Sequence, residues 1–124
     1  MKEAREHYEA ALAIHREAGN RRVEGIVLGN LGALHQAQGR MEAARRCSHE
    51  STTILRDASD GLELGKFLCK RGELEVQQGN IPAARAGLAE AESIADDLAV
   101  GPETELARSI EELRYTLANT KETL

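Results

Sequence analysis

The chain has 124 residues and a formal net charge of −5; 41% of its residues are hydrophobic, 30% are charged and only 2% are aromatic. This charge argues against a general nucleic-acid binder, which needs a basic face, and no apolar run approaches the roughly 20 residues of a membrane span. Because aromatic residues are so few, the core must consist mainly of alanine and leucine, which suit closely packed helices. The composition therefore predicts an all-α protein.

The sequence resembles itself after a shift of forty residues. The shift brings Ile14 onto Ile54 and Ile94. It also aligns Gly25 with Gly65, Leu28 with Leu68, Gly32 with Gly72, Leu34 with Leu74, and Gly39 with Gly79. An internal period of this length is typical of a solenoid, in which each repeat buries its apolar face only against its neighbours.

Helix-breaking residues divide each period into two helices. They recur about every twenty residues, at Gly19-Asn20, Gly39-Arg40, Ser59-Asp60-Gly61, Gly79-Asn80 and Gly101-Pro102. Glycine or asparagine just past a helix end adopts the left-handed conformation that other residues resist. The pattern predicts six helices, over residues 2–18, 21–38, 41–58, 62–78, 81–98 and 103–119. Because the connections are short, neighbouring helices should pack antiparallel.

The glycines inside the predicted helices follow a helical spacing. Gly25, Gly29 and Gly32 lie on one face, and Gly65 and Gly72 repeat the arrangement. Without a Cβ the next helix can approach closely, so leucine at Gly32 or Gly72 should overpack the contact. The remaining apolar positions predict this core: Leu12, Ile14, Leu28, Leu31, Leu34, Ala44, Ile54, Leu68, Leu74, Ala84, Leu88, Ile94, Leu98, Leu106, Ile110 and Leu113.

The repeat pattern predicts one repeat domain over residues 1–124. Residues 1–20 form the second helix of an incomplete repeat, 21–60 and 61–100 form two repeats, and 101–124 form a terminal helix with a polar outer face. Arrays of this kind need such a cap. The incomplete first repeat predicts that the chain is the C-terminal piece of a longer protein, and that Ala4, Tyr8, Ala11 and Leu12 are partly uncovered.

The phrase LGNLGALHQAQGRMEAAR, residues 28–45, contains Leu28, Leu31-Gly32, Gly39 and Ala44. This spacing resembles the tetratricopeptide repeat, in the forty-residue form common in bacterial regulatory proteins, and the resemblance covers nearly all of residues 1–98. It implies a right-handed superhelical α-solenoid of antiparallel helix pairs and a non-catalytic role in protein–protein interaction.

The resemblance also implies a concave partner-binding groove formed by the first helix of each pair. Its residues here are Asn30, Ala33, Gln36, Lys66, Cys69, Lys70 and Glu73. Asn30, Lys66 and Lys70 stand where some tetratricopeptide domains hold the C-terminal carboxylate of a peptide. Two interpretations of the lysines remain open: contact with an anionic peptide, or an ordinary solvated pair.

The sequence contains no recognisable catalytic, cofactor or metal motif. None of the four histidines pairs at the i, i+4 spacing of a helical zinc site, and there is no Cys-x-x-Cys. Cys47 and Cys69 are too few for a disulfide framework. Free thiols in a reducing cytosol are favoured, although a bridge between antiparallel helices stays open.

Two functions fit these features. The first is a non-catalytic scaffold in a larger cytoplasmic bacterial regulator, which binds a partner peptide or helix in its groove. The second is self-association, in which exposed terminal helices form a homodimer. An enzyme is the least favoured class, and we expect no cofactor, no nucleic acid and no membrane among the partners.

Overall fold

The computed structural model describes residues 2–120, and within them it contains six α-helices and no strand. The helices are α1 (Lys2–Ala18), α2 (Arg21–Ala37), α3 (Met41–Asp57), α4 (Gly61–Gln77), α5 (Ile81–Leu98) and α6 (Glu105–Ala118). Every helix begins and ends within two residues of its predicted bounds. The all-α helical repeat is thus confirmed.

The five helix junctions use one backbone conformation. A residue with positive φ occurs every twenty positions, at Gly19, Gly39, Ser59, Gly79 and Ala99. At each junction the following N–H donates to the carbonyl five residues earlier, as from Arg40 to His35 at 2.9 Å. This hydrogen bond belongs to the Schellman motif. The Gly101-Pro102 prediction is corrected here, because Ala99 rather than a glycine takes the left-handed position, with φ 52°.

The chain forms two compact units with the boundary between Asp60 and Gly61. We call them the N-terminal unit, which contains α1, α2 and α3, and the C-terminal unit, which contains α4, α5 and α6. In the first, α2 packs against both α1 and α3. In the second, α4, α5 and α6 all pack against one another.

The N-terminal unit has a small apolar core centred on α2. Leu12, Val27, Leu28 and Ile54 are buried in it. The buried Ser51 hydroxyl of α3 donates a 2.7 Å hydrogen bond to the carbonyl of Gly25 in α2. A Cβ on Gly25 would lie 2.9 Å from Cγ of Leu55 in α3. Absence of a side chain at Gly25 therefore sets how closely α2 and α3 approach.

An arginine near the end of α1 forms ion pairs with both other helices of this unit. Arg16 donates to the buried Glu24 of α2 at 3.1 Å and to the exposed Glu50 of α3 at 2.8 Å. Arg21 also donates to Glu24, at 3.2 Å. A buried carboxylate needs such partners, because an uncompensated charge is costly inside a protein.

The glycines of α4 accommodate a different helix from those of α2. A Cβ on Gly65 or Gly72 would lie 2.6 Å from a methyl carbon of Leu106 or Leu113, both in α6. The second helix of this pair, α5, carries Gly87 and Ala95 where α3 has Cys47 and Leu55. In the C-terminal unit, the small residues of α5 leave space beside α4, and leucines of α6 fill it. In the N-terminal unit, α3 alone packs at the corresponding glycine, Gly25.

Most of the predicted core is buried. The buried members are Leu12, Leu28, Leu31, Ala44, Ile54, Leu68, Leu74, Ala84, Leu106, Ile110 and Leu113. Leu34, Leu88 and Ile94 are half-buried. Ile14 and Leu98 were predicted as core but are 63% and 49% exposed.

Helix geometry explains both errors. Ile14 lies two residues after the buried Leu12, so it points about 200° away from the side of α1 that faces α2. Leu98 is the last residue of α5 and contacts the first residue of α4, Gly61, where that helix begins. No further residue of α4 is available to cover its outer side.

Candidate partner-binding site

The predicted site residues of the N-terminal unit lie along one helix. Asn30, Ala33 and Gln36 are spaced three apart on α2, and each is half-buried. With 3.6 residues per turn, this spacing keeps them on adjoining parts of one face. They form a continuous, partly accessible strip of amide and methyl groups.

The predicted site residues of the C-terminal unit lie on α4 and differ in accessibility. Lys70 is exposed, Lys66 and Glu73 are half-buried, and Cys69 is buried with only 2% of its surface exposed. Cys69 therefore belongs to the interior, and its side chain offers almost no surface to a partner. No signal at position 69 itself revealed this, because the aligned residue is Gly29, which has no side chain.

The Lys66 ammonium is already held by two carboxylates. Its Nζ lies 3.0 Å from Glu105 of α6 and 3.2 Å from Glu63 of α4. Burial disfavours the charge of Lys66, but the hydrogen bonds to Glu105 and Glu63 outweigh it and raise the pKa of the side chain. The same contact lowers the pKa of Glu105. An incoming anion would have to compete with both acidic side chains for this cation.

Both cysteines are free thiols. Burial, followed by the charges of Glu73, Glu92 and Glu112, raises the pKa of Cys69 to about 12. Burial also raises the pKa of Cys47. Since the thiolate is the reactive form, neither environment favours nucleophilic chemistry at neutral pH.

A cleft of about 570 Å³ lies between α4 and α6. It is lined by Glu73, Glu111, Glu112, Tyr115 and Thr116. Tyr115 is 72% exposed, the largest exposure among the large hydrophobic residues described. Sequence reasoning included Glu73 but missed the α6 residues. The sequence could have indicated the exposure of Tyr115, because it lies two residues after the buried Leu113 and so points away from the core.

A second, smaller cleft of about 300 Å³ lies between the end of α5 and α6. Its lining combines apolar and charged residues: Ala95, Asp96, Val100, Pro102, Ala107, Ile110, Glu111 and Arg114. Arg114 donates to Glu92 of α5 and to Glu111 of α6. These ion pairs hold the Arg114 side chain at the smaller cleft, and Glu111 lines both clefts.

Metal-binding clusters and membrane-spanning helices are both absent from the described part of the chain. Within residues 2–120, no group of three or more His, Cys, Asp or Glu side chains is arranged to hold a metal ion. In the same range, no helix combines the length and the apolar character needed to cross a bilayer. The accessible features there are helix faces and shallow clefts.

Comparison with known proteins gives one match. The family model of the tetratricopeptide repeat matches residues 1–57. Neither the curated proteins nor the solved structures contain a match to the chain. The matched segment covers α1, α2 and α3, and α4 and α5 repeat its forty-residue pattern, with interior glycines at the same positions of α2 and α4.

Proposed function

Since the chain carries tetratricopeptide repeats, which mediate protein–protein interaction, we propose that it is a non-catalytic interaction module of a larger cytosolic bacterial regulator. The observation that carries this proposal is the family match over residues 1–57, extended by the same helix pattern in α4 and α5. Two free thiols are in keeping with a reducing compartment. Repeat scaffolds share a fold while their binding faces differ, so the partner must be argued from surface residues.

The partner-contacting residues of this proposal lie on the first helix of each pair. On α2 they are Asn30, Ala33 and Gln36, and on α4 they are Lys70 and Glu73. Lys66 and Cys69 act indirectly: Lys66 holds α6 through Glu105, and Cys69 packs inside the C-terminal unit. A peptide lying along either strip would pair its polar groups with these side chains.

A peptide array tests the proposal across many partner sequences at once. We expect the chain to bind a subset of immobilised peptides, with Asn30→Ala, Gln36→Ala or Glu73→Ala each lowering binding by about tenfold. Thr53→Ala and Ser93→Ala, exposed on α3 and α5, should change it less than about twofold. Each peptide is printed with a free and an amidated C-terminus, so preference for the free form would reveal carboxylate recognition. Failure to bind any peptide would contradict the module proposal.

Self-association is the second candidate, and the exposed Ile14 favours it. An isoleucine 63% exposed on α1 is an apolar contact that a second copy would bury. Light scattering after size exclusion, over a hundredfold concentration range, should then give a mass near twice 13.5 kDa. Ile14→Ser should restore the monomer mass, and Ala18→Ser, on the exposed surface of the same helix, should not. A constant mass near 13.5 kDa would eliminate this candidate.

A further inference from the structure

The net charge of the protein resides entirely in the C-terminal unit. Residues 1–60 contain nine Lys or Arg and nine Asp or Glu, whereas residues 61–124 contain seven basic and twelve acidic residues. The formal charges are therefore zero and −5. Any partner of the C-terminal unit approaches a negative surface, which attracts cations and repels anions.

Two cations close to the α4–α6 cleft are paired with other carboxylates. Arg114 contacts Glu92 and Glu111, and Lys66 contacts Glu63 and Glu105. Among residues 2–120, Glu73 and Glu112 line the cleft with no ion-pair partner within 4.0 Å. After burial, both contribute with Glu92 to the raised pKa of the nearby Cys69, and Lys70 acts in the opposite direction.

Tyr115 gives the same cleft an exposed aromatic face. Its ring is 72% exposed on a helix whose other accessible residues near the cleft are Glu111, Glu112 and Thr116. A guanidinium group stacks on an aromatic ring and donates two parallel hydrogen bonds to a carboxylate. Arginine is thus the side chain whose chemistry complements both the carboxylates and the ring.

We propose that the cleft between α4 and α6 binds an arginine-containing cationic segment of the protein partner. The guanidinium group pairs with Glu73 and Glu112 and stacks on Tyr115. This inference rests on the proposed interaction function and names the chemistry of the partner at this unit. It is the opposite of the anionic partner that the resemblance implied for Lys66 and Lys70.

Fluorescence anisotropy with three labelled nonapeptides tests the inference on the full chain. One peptide contains three arginines, and the other two carry lysine or glutamate at the same positions. We expect the arginine peptide to bind about threefold tighter than the lysine peptide, and the glutamate peptide to show no binding. Affinity should fall as salt is raised, because the contacts are exposed to solvent.

Charge-neutral variants locate the site. Glu73→Gln with Glu112→Gln should weaken binding of the arginine peptide by about tenfold, and Tyr115→Ala by about threefold. Tyr115→Phe keeps the ring and should bind normally. Asp97→Asn with Glu103→Gln removes the same charge from exposed positions outside the cleft, and should change affinity less than about twofold. Circular dichroism verifies that each variant is folded.

Three results would overturn the inference. Equal weakening by both double variants would mean that the net negative charge of the protein attracts the peptide, and that the cleft does not bind it specifically. Tighter binding of the glutamate peptide would reverse the assigned chemistry while leaving the interaction function in place. Failure of all three peptides, combined with binding of other sequences on the array, would refute the cleft alone; failure on both assays would refute the interaction function as well.

Discussion

Single residues at the helix junctions carry different conformational costs. Gly19, Gly39 and Gly79 adopt φ values of 75–78° without strain, whereas Ser59 and Ala99 adopt 57° and 52° with a Cβ present. The left-handed region costs a non-glycine residue about 1–2 kcal/mol. Ser59 and Ala99 keep the conformation because the following N–H donates to the carbonyl five residues earlier, which holds the junction in place.

Ala99→Gly should therefore stabilise the protein. Relief of the left-handed strain outweighs the additional entropy that glycine has in the unfolded chain, and we expect a net gain of about 0.5–1 kcal/mol. Urea unfolding followed by circular dichroism measures the change. The matched control is Ala86→Gly on the exposed face of α5, which should instead lose about 1 kcal/mol. A loss at both positions would contradict the strain assigned to Ala99.

Residue chemistry also explains why the sequence did not reveal the ion pair between Lys66 and Glu105. Lys66 and Lys70 are adjacent on one helix face in the sequence pattern, and nothing in that pattern places Glu105 near them. The ion pair to Lys66 arises only because α6 packs against α4. The forty-residue alignment contains no information on the contact between α4 and α6, so it could not show that Lys66 is paired with Glu105.

At the scale of helices, the sequence predicted where each helix begins and ends, but it did not predict which helices pack against each other. The breakers at twenty-residue spacing predicted the six helices described, because a junction residue with positive φ ends each of the first five at a fixed position. The interior glycines predicted close helix approach, and a Cβ on Gly25, Gly65 or Gly72 would indeed clash. Which helix approaches depends on side-chain volumes on two other helices, and so differs between the units.

Gly72→Ala tests the close approach of α4 and α6. Alanine favours the helix by about 1 kcal/mol, but its Cβ would lie 2.6 Å from Cδ2 of the fully buried Leu113. We expect overpacking to dominate and the free energy of unfolding to fall by about 1–2 kcal/mol. Gly87→Ala in α5, where the nearest contact would be 3.4 Å, serves as the control and should not destabilise the protein.

A double-mutant cycle assigns this loss to one contact. Leu113→Ala alone should cost about 2–4 kcal/mol by opening a cavity. Combined with Gly72→Ala, it should cost less than the sum, because the new methyl group occupies part of that cavity, with a coupling of about 1 kcal/mol. Strict additivity would show that Gly72 and Leu113 do not limit the approach of the helices.

For the molecule as a whole, the forty-residue period predicted a helical repeat, and the tetratricopeptide-repeat model matches residues 1–57. A repeat period predicts that aligned residues are buried to the same extent. Ile14 was therefore predicted to lie in the core because it aligns with Ile54, which is buried. Ile54 is covered because α2 packs against it at Gly25, whereas α2 packs on α1 from the side of Leu12. Equivalent positions therefore lie on corresponding helices but need not have the same neighbours.

Stability at alkaline pH depends on the buried thiol of the C-terminal unit. Burial raises the pKa of Cys69 from the ordinary 9.0 to about 12, so between these values the unfolded chain loses a proton that the folded chain keeps. The folded state is favoured fully below pH 9, and that contribution disappears as pH rises towards 12. By linkage, raising the pH from 8 to 10.5 should lower the free energy of unfolding by about 2 kcal/mol through this group alone.

Replacing the thiol isolates its contribution from lysine and tyrosine titration. Cys69→Ala should be less stable at pH 8 because it leaves a small cavity, but its stability should fall less steeply between pH 8 and 10.5 than that of the parent. Cys47→Ala removes a thiol that is only half-buried and whose pKa burial also raises, and it should keep most of the parent slope. Urea unfolding at each pH gives the slopes directly. Parallel slopes for the parent and Cys69→Ala would mean that the thiol ionises freely in the folded chain, and that the interior between α4, α5 and α6 admits water.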